Sequence, residues 1–76
     1  MKVTSVFDYP KGRVIVVEGK VTTDPRLLIR SRDGAQWVVR GVDRGHGWPT
    51  RDRLPVAFLL QHDADVRVGD VLSPGS

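Results

Sequence analysis

His46 and His62 are the two side chains of this 76-residue chain able to act as acids or bases near neutral pH. Neither is accompanied by a nucleophile pattern, and the chain has no cysteine. His62-Asp63-Ala64-Asp65 places one imidazole and two carboxylates on one turn. Hard cations and zinc need a fuller shell of ligands than this segment offers. It reads as an aspartate-rich turn. We therefore expect no catalysis, no metal and no cofactor.

Arginine is the more promising chemistry. Twelve Lys and Arg against nine Asp and Glu give a net charge of +3, and nine of the twelve are arginine. This balance permits an anionic partner without requiring one. Two groupings stand out. The first is Arg26, Arg30 and Arg32 with Trp37. Aromatic and guanidinium planes stack bases, and guanidinium groups neutralise phosphate. The same residues also fit a wet strand face with Arg30 over Trp37 as a cation–π pair, or Trp37 in the core. The second is Arg44-Gly45-His46-Gly47-Trp48-Pro49-Thr50-Arg51-Asp52-Arg53, with two glycines, an aromatic, a histidine and three arginines. Loops on a rigid scaffold often carry binding residues. The competing reading folds Trp48 onto the scaffold as a lid.

The elements that must position these groups are strands. No segment keeps a 3.6-residue apolar period; short apolar runs alternate with turn residues, which is the all-β pattern. A first strand is expected over 3–9. Tyr9-Pro10-Lys11-Gly12 reads as a type I turn. The long strand over 13–23 follows, with four consecutive β-branched residues, Val14-Ile15-Val16-Val17. Its first half is apolar on both faces and its second half on one, with Gly19 allowing a bend or bulge between them. Strands over 27–32 and 35–42 flank Asp33-Gly34, a strong hairpin signal. A two-residue turn there sets Arg30 opposite Trp37 and Ile29 opposite Val38. Leu27, Ile29, Val38 and Val42 are then the expected core face. Arg26, Arg30, Arg32 and Trp37, with Leu28 and Val39, are the expected outer face. A one-residue slip would exchange the two sets. Residues 43–54 form a surface loop, 55–60 a buried strand, 66–72 a short strand, a tight turn and a closing strand, and 73–76 a flexible tail.

Seventy-six residues make one domain, with 3–72 as its core. A chain this short buries only about 60% of its unfolded surface. Met1-Lys2-Val3-Thr4-Ser5 lacks an apolar leader segment, and no apolar run approaches the roughly 20 residues that span a bilayer. A cytoplasmic protein without membrane contact is expected.

Three blocks resemble the second-domain β-barrel of translational GTPases, best known from elongation factor Tu. They are Gly12-Arg13-x-x-Val16-Val17-x-Gly19-Lys20-Val21, Gly41-Val42-Asp43, and Val56-Ala57-Phe58-Leu59-Leu60 with Val66-Arg67-Val68-Gly69-Asp70-Val71-Leu72. The resemblance runs over most of 6–72. It implies a six- to seven-stranded antiparallel barrel that stands alone, since there is no phosphate-binding loop and no room for a GTPase domain. The segment Thr23-Asp24-Pro25-Arg26 is shorter than in the family and lacks its glycines. In the family this domain helps hold the aminoacylated end of tRNA and contacts ribosomal RNA. Residue by residue, Arg13 and Asp43 carry over. The functional expectation is a module that binds RNA, tRNA or rRNA, through Arg13, Arg26, Arg30, Arg32, Trp37, Asp43, Arg44, Trp48, Arg51 and Arg53. The alternative is a protein-interaction module, with a translation-related protein as partner. A monomer is expected, although the edge strands of an incompletely closed barrel can pair with a second copy.

Overall fold

The computed structural model describes residues 1–19, 24–43 and 56–75. Seven strands follow one another among these residues: β1 (Lys2–Tyr9), β2 (Gly12–Glu18), β3 (Leu27–Arg30), β4 (Gln36–Val38), β5 (Gly41–Asp43), β6 (Val56–Leu60) and β7 (Leu72–Gly75). There is no helix among the described residues. All ladders are antiparallel and form two sheets, β1-β2-β6-β5 and β4-β3-β7. The all-β expectation holds. The described ladders do not close into one barrel; they form two sheets that meet at two places. One is the bridge between Lys2 and Val71, flanked by Val3 N–H donating to Asp70 O at 2.9 Å. The other is the stretch from β4 to β5. It leaves the small sheet at Val39, whose N–H donates to Arg26 O at 2.9 Å, and joins the large one at Arg40, whose N–H donates to Leu59 O at 2.8 Å. The single strand expected over 35–42 is thus a corner shared by both sheets.

β2 lies at the centre of the large sheet, as its β-branched run favours. It pairs with β1 through a two-residue turn at Pro10-Lys11, Tyr9 opposite Gly12, and with β6 from Arg13–Leu60 to Val17–Val56. Gly12 is required at the turn exit: its φ is 150°, and a Cβ there would lie 2.2 Å from Leu60 O. β2 ends at Glu18 and the chain bends at Gly19, whose φ is 137°, as expected of that glycine. A register irregularity lies in β1, between Val3 and Ser5. Residues 20–23 of the expected long strand lie outside the described residues.

The core sits between the sheets. Ile15, Val17, Val56, Phe58 and Leu60 from the large sheet meet Leu28, Trp37 and Leu72 from the small one, with Val3, Ala64 and Val66 at the margins. Fully burying each of the larger side chains contributes roughly 1.5–3 kcal/mol. The expected tail at 73–76 is not one over its described part. Ser73, Pro74 and Gly75 form most of β7, paired with β3. Gly75 lies directly beneath Leu27 and Ile29, where a Cβ would stand 2.9 Å from Leu27 Cδ2. The short strand expected at the start of 66–72 does not form, but the turn does, at Val68-Gly69 with the Asp70 N–H donating to Arg67 O at 3.1 Å, and β7 is the closing strand after it.

Candidate nucleic-acid interface

The β3–β4 hairpin decides the fate of the Arg26–Trp37 grouping. Its observed register sets Leu28 opposite Trp37 and Ile29 opposite Gln36. The Arg30 N–H donates to Ala35 O, and the Gly34 N–H to Arg30 O, each at 2.8 Å. The turn therefore holds Ser31-Arg32-Asp33-Gly34, two residues more than the Asp33-Gly34 turn expected. A shift of two keeps the same residues on the same face, so the two sets survive. Within β3 and β4 their sides are reversed, whereas Arg26 and Arg32 are exposed as expected and Val42, past the corner, packs against the core as expected. Leu28, Arg30 at 4% exposure and Trp37 at 8% face the core, while Val38 is 67% exposed.

Arg30 tolerates burial because every donor group on it is engaged. Nε and Nη2 donate to Asp33 Oδ1 and Oδ2 at 3.0 and 2.7 Å, a bidentate pair. Nη1 donates to Asp70 Oδ2 at 3.0 Å and to Asp65 O. The guanidinium lies 4.9 Å from the Trp37 ring centroid. Hydrogen bonding to Asp33 pushes the Arg30 pKa further up, against the opposing effect of burial, and Asp70 adds to the rise. Asp33 is held at about 2, first by its hydrogen bond from Arg30 and then by one from the Ala35 N–H. Burial works to raise Asp70, but the Arg67 N–H and Arg30 outweigh it and hold it below the usual carboxylate range. Among the described residues no buried side-chain polar atom lacks a partner. Arg30 and Trp37 are thus a satisfied core cluster, and the expectation that they stack bases on an open face is corrected.

The remaining arginines scatter. Arg13 donates through Nε to Asp8 Oδ1 at 2.9 Å and through Nη1 to Ala64 O at 2.6 Å, tying β2 to the segment after β6. Arg32 is exposed and reaches Asp70 Oδ1 at 3.4 Å. Arg26 is exposed at the start of β3. Arg44, His46, Trp48, Arg51 and Arg53 lie outside the described residues. Among the described residues no group of three or more His, Asp or Glu can hold a metal ion, and no helix is long and apolar enough to cross a membrane.

What the structure does assemble is a groove. On the outer face of the large sheet, an open depression of about 620 Å³ is lined by Tyr9, Pro10 and Lys11 from the β1–β2 turn, Val14 from β2, Gly41, Val42 and Asp43 from β5, and Ala57, Phe58 and Leu59 from β6. Pairing explains the floor: Val14 is opposite Leu59, and Leu59 is opposite Gly41. Gly41 keeps the floor low, with Leu59 at van der Waals distance from where its Cβ would stand. Tyr9 is 52% exposed. Of the described residues expected to bind, Asp43 is the one this groove includes; Arg13 belongs to the same strand as Val14 but points the other way. The start of β2 and Gly41-Val42-Asp43, far apart in sequence, meet here.

Tyr9, Lys11, Val14, Ala57 and Leu59 were not among the expected site residues. Their signal was present: both faces of β2 and β6 are apolar, so one apolar face of each must lie away from the core. Comparison with known proteins finds no matching family model, no matching curated protein and no matching solved structure.

Proposed function

We propose that this chain is a binding module without chemistry of its own, and that it contacts RNA, tRNA or rRNA, through an unpaired nucleotide seated in the Tyr9–Asp43 groove. The observation that carries the proposal is the groove itself. It offers a flat apolar floor for the face of a base, an aromatic ring at its lip and Lys11 beside it. Asp43 can accept a hydrogen bond from a base edge or a ribose hydroxyl. The barrel resemblance supports the same reading, since its two matching blocks at Gly12 and Gly41 border this groove. Arg44 follows Asp43 directly in the sequence, and Arg51 and Arg53 lie before β6, adding positive charge to the connection between β5 and β6.

Titration of labelled protein with tRNA and rRNA fragments at several salt concentrations tests this. The expected result is saturable binding, with amide shifts centred on Tyr9, Lys11, Gly41 and Asp43. Affinity should weaken with a log–log slope of about 0.7 per phosphate neutralised. An unshifted spectrum at low salt overturns it.

One observation favours a second reading, a protein-interaction module. Withdrawal of Arg30 and Trp37 into the core leaves the described outer faces poorer in cations than the composition suggests, with Phe7, Tyr9 and Val38 exposed on them. Recovery of one protein partner that survives nuclease treatment would favour this reading over RNA.

A further inference from the structure

Asp33 is the one aspartate of this chain that is followed by glycine. Such a pair is open to attack on itself, because glycine puts no side chain between its own amide nitrogen and the carboxyl carbon before it. The Gly34 nitrogen can add to Asp33 Cγ, giving up its proton, and expel a carboxyl oxygen as water, which closes a five-membered imide. Water then reopens the ring. Entry at Cγ restores aspartate. Entry at the Asp33 carbonyl carbon breaks the original peptide bond and leaves the chain running through Cβ and Cγ. The product, isoaspartate, is an isomer of the starting chain, since one water leaves and one returns. Nothing is oxidised or reduced.

Steric crowding does not prevent this in the β3–β4 turn. Asp33 and Gly34 are exposed, and apart from the chain neighbours no atom lies within 4 Å of where a Gly34 Cβ would stand. Both reacting groups are nevertheless engaged. The Gly34 N–H donates to Arg30 O at 2.8 Å. Asp33 Oδ1 accepts from Arg30 Nε and from the Ala35 N–H, each at 3.0 Å, and Oδ2 accepts from Arg30 Nη2 at 2.7 Å. A carboxylate held in this way stays ionised, and its carbon is a poor target for a nucleophile until a proton neutralises it.

We propose that Asp33-Gly34 is a latent isoaspartate site, locked by the Arg30 guanidinium and released when the β3–β4 turn opens. The modification acts back on the fold. Isoaspartate lengthens the turn backbone by one methylene, and its free carboxylate sits directly on Cα, one carbon short of its reach to Arg30. The buried cation loses its bidentate partner and keeps Asp70 and Asp65 O. A converted chain is therefore less stable than the chain it came from.

Ageing the full chain in warm, mildly acidic buffer tests this. The isomer is read by chromatography of the tryptic fragment 33–40, whose mass it leaves unchanged. The native chain should convert far more slowly than the same chain in denaturant. Arg30→Met removes the clasp and leaves the reactive pair in place. It should convert at least about tenfold faster than the native chain, the weight of one hydrogen bond to a charged group. Equal rates in the native and denatured chains overturn the proposal. So does a folded Arg30→Met chain that ages no faster, since the turn backbone alone would then protect. If Arg30→Met does not fold, the native chain decides. As denaturant rises below the unfolding midpoint, conversion should climb in step with exchange of the Ala35 amide, which donates to Asp33 Oδ1. Conversion that stays constant while that amide opens overturns the proposal.

Discussion

The Arg30–Trp37 cluster and the Tyr9–Asp43 groove are built from the same kinds of residue: an aromatic ring, a cation and a carboxylate. In the cluster the ring and the cation are buried, the cation is fully bonded, and two aspartates hold it. In the groove the ring is half exposed and the floor is apolar and open. The first arrangement spends its polar groups on one another. The second leaves a surface for something else. Residue type therefore does not separate a structural site from a binding site in this chain. The side of the sheet does.

The contrast can be broken from either end. Trp37→Ala removes a buried ring and the platform under Arg30. It should cost about 3–5 kcal/mol of stability, seen as a lowered denaturation midpoint, with RNA affinity of the folded fraction unchanged. Asp70→Ala leaves Arg30 and the Arg67 N–H each short of a partner. A loss of about 2–3 kcal/mol is expected in the same measurement. Tyr9→Ala should do the reverse: nearly unchanged stability, but RNA binding weaker by about 1–3 kcal/mol, the size of a lost base stack. If Trp37→Ala in its folded fraction and Tyr9→Ala weaken binding alike, the contrast fails.

Acid pH sharpens it further. The folded value of Asp33, about 2, lies below the value near 4 of an unfolded aspartate. Folding therefore favours its ionised form. That contribution is fully present above about pH 4 and is lost as pH falls through about 2. Asp70 is depressed as well and acts in the same direction. Circular dichroism through an acid titration should show stability declining in that window, and Asp33→Asn should flatten the decline. The smallest effect expected is that of Lys11→Ala, a fall of about 0.7 in the log–log salt slope of RNA binding with stability unchanged.

The parts legible in the sequence were those set by local pattern. The run Val14-Ile15-Val16-Val17 marked the central strand, and Pro10 with Gly12 marked the first turn. The β3–β4 hairpin was legible as two sets of residues but not as an inside and an outside. Arg30 looked like a surface group because its partners were invisible: Asp65 and Asp70 lie 35 and 40 residues away. Only Asp33, three residues on, hinted at a local clasp. Without those partners, burying an arginine is prohibitive, and the outward assignment follows. With them, Leu28 and Trp37 can take the core side. The groove was hidden for a related reason. Its lining comes from the β1–β2 turn, β5 and β6, and only the pairing of Leu59 with both Val14 and Gly41 brings them together.

The corner between β4 and β5 bears on how the molecule comes apart. Val39 is bonded into one sheet and Arg40 into the other, so adjacent peptide groups answer to different ladders. Neither sheet can lose its register there without pulling on the other. Two sheets joined only through side chains could melt in sequence; two sheets sharing a backbone corner should melt as a single cooperative unit. The amides of Val39 and Arg40 would then exchange only on global opening, and they would report the stability of the entire fold from one point on its rim.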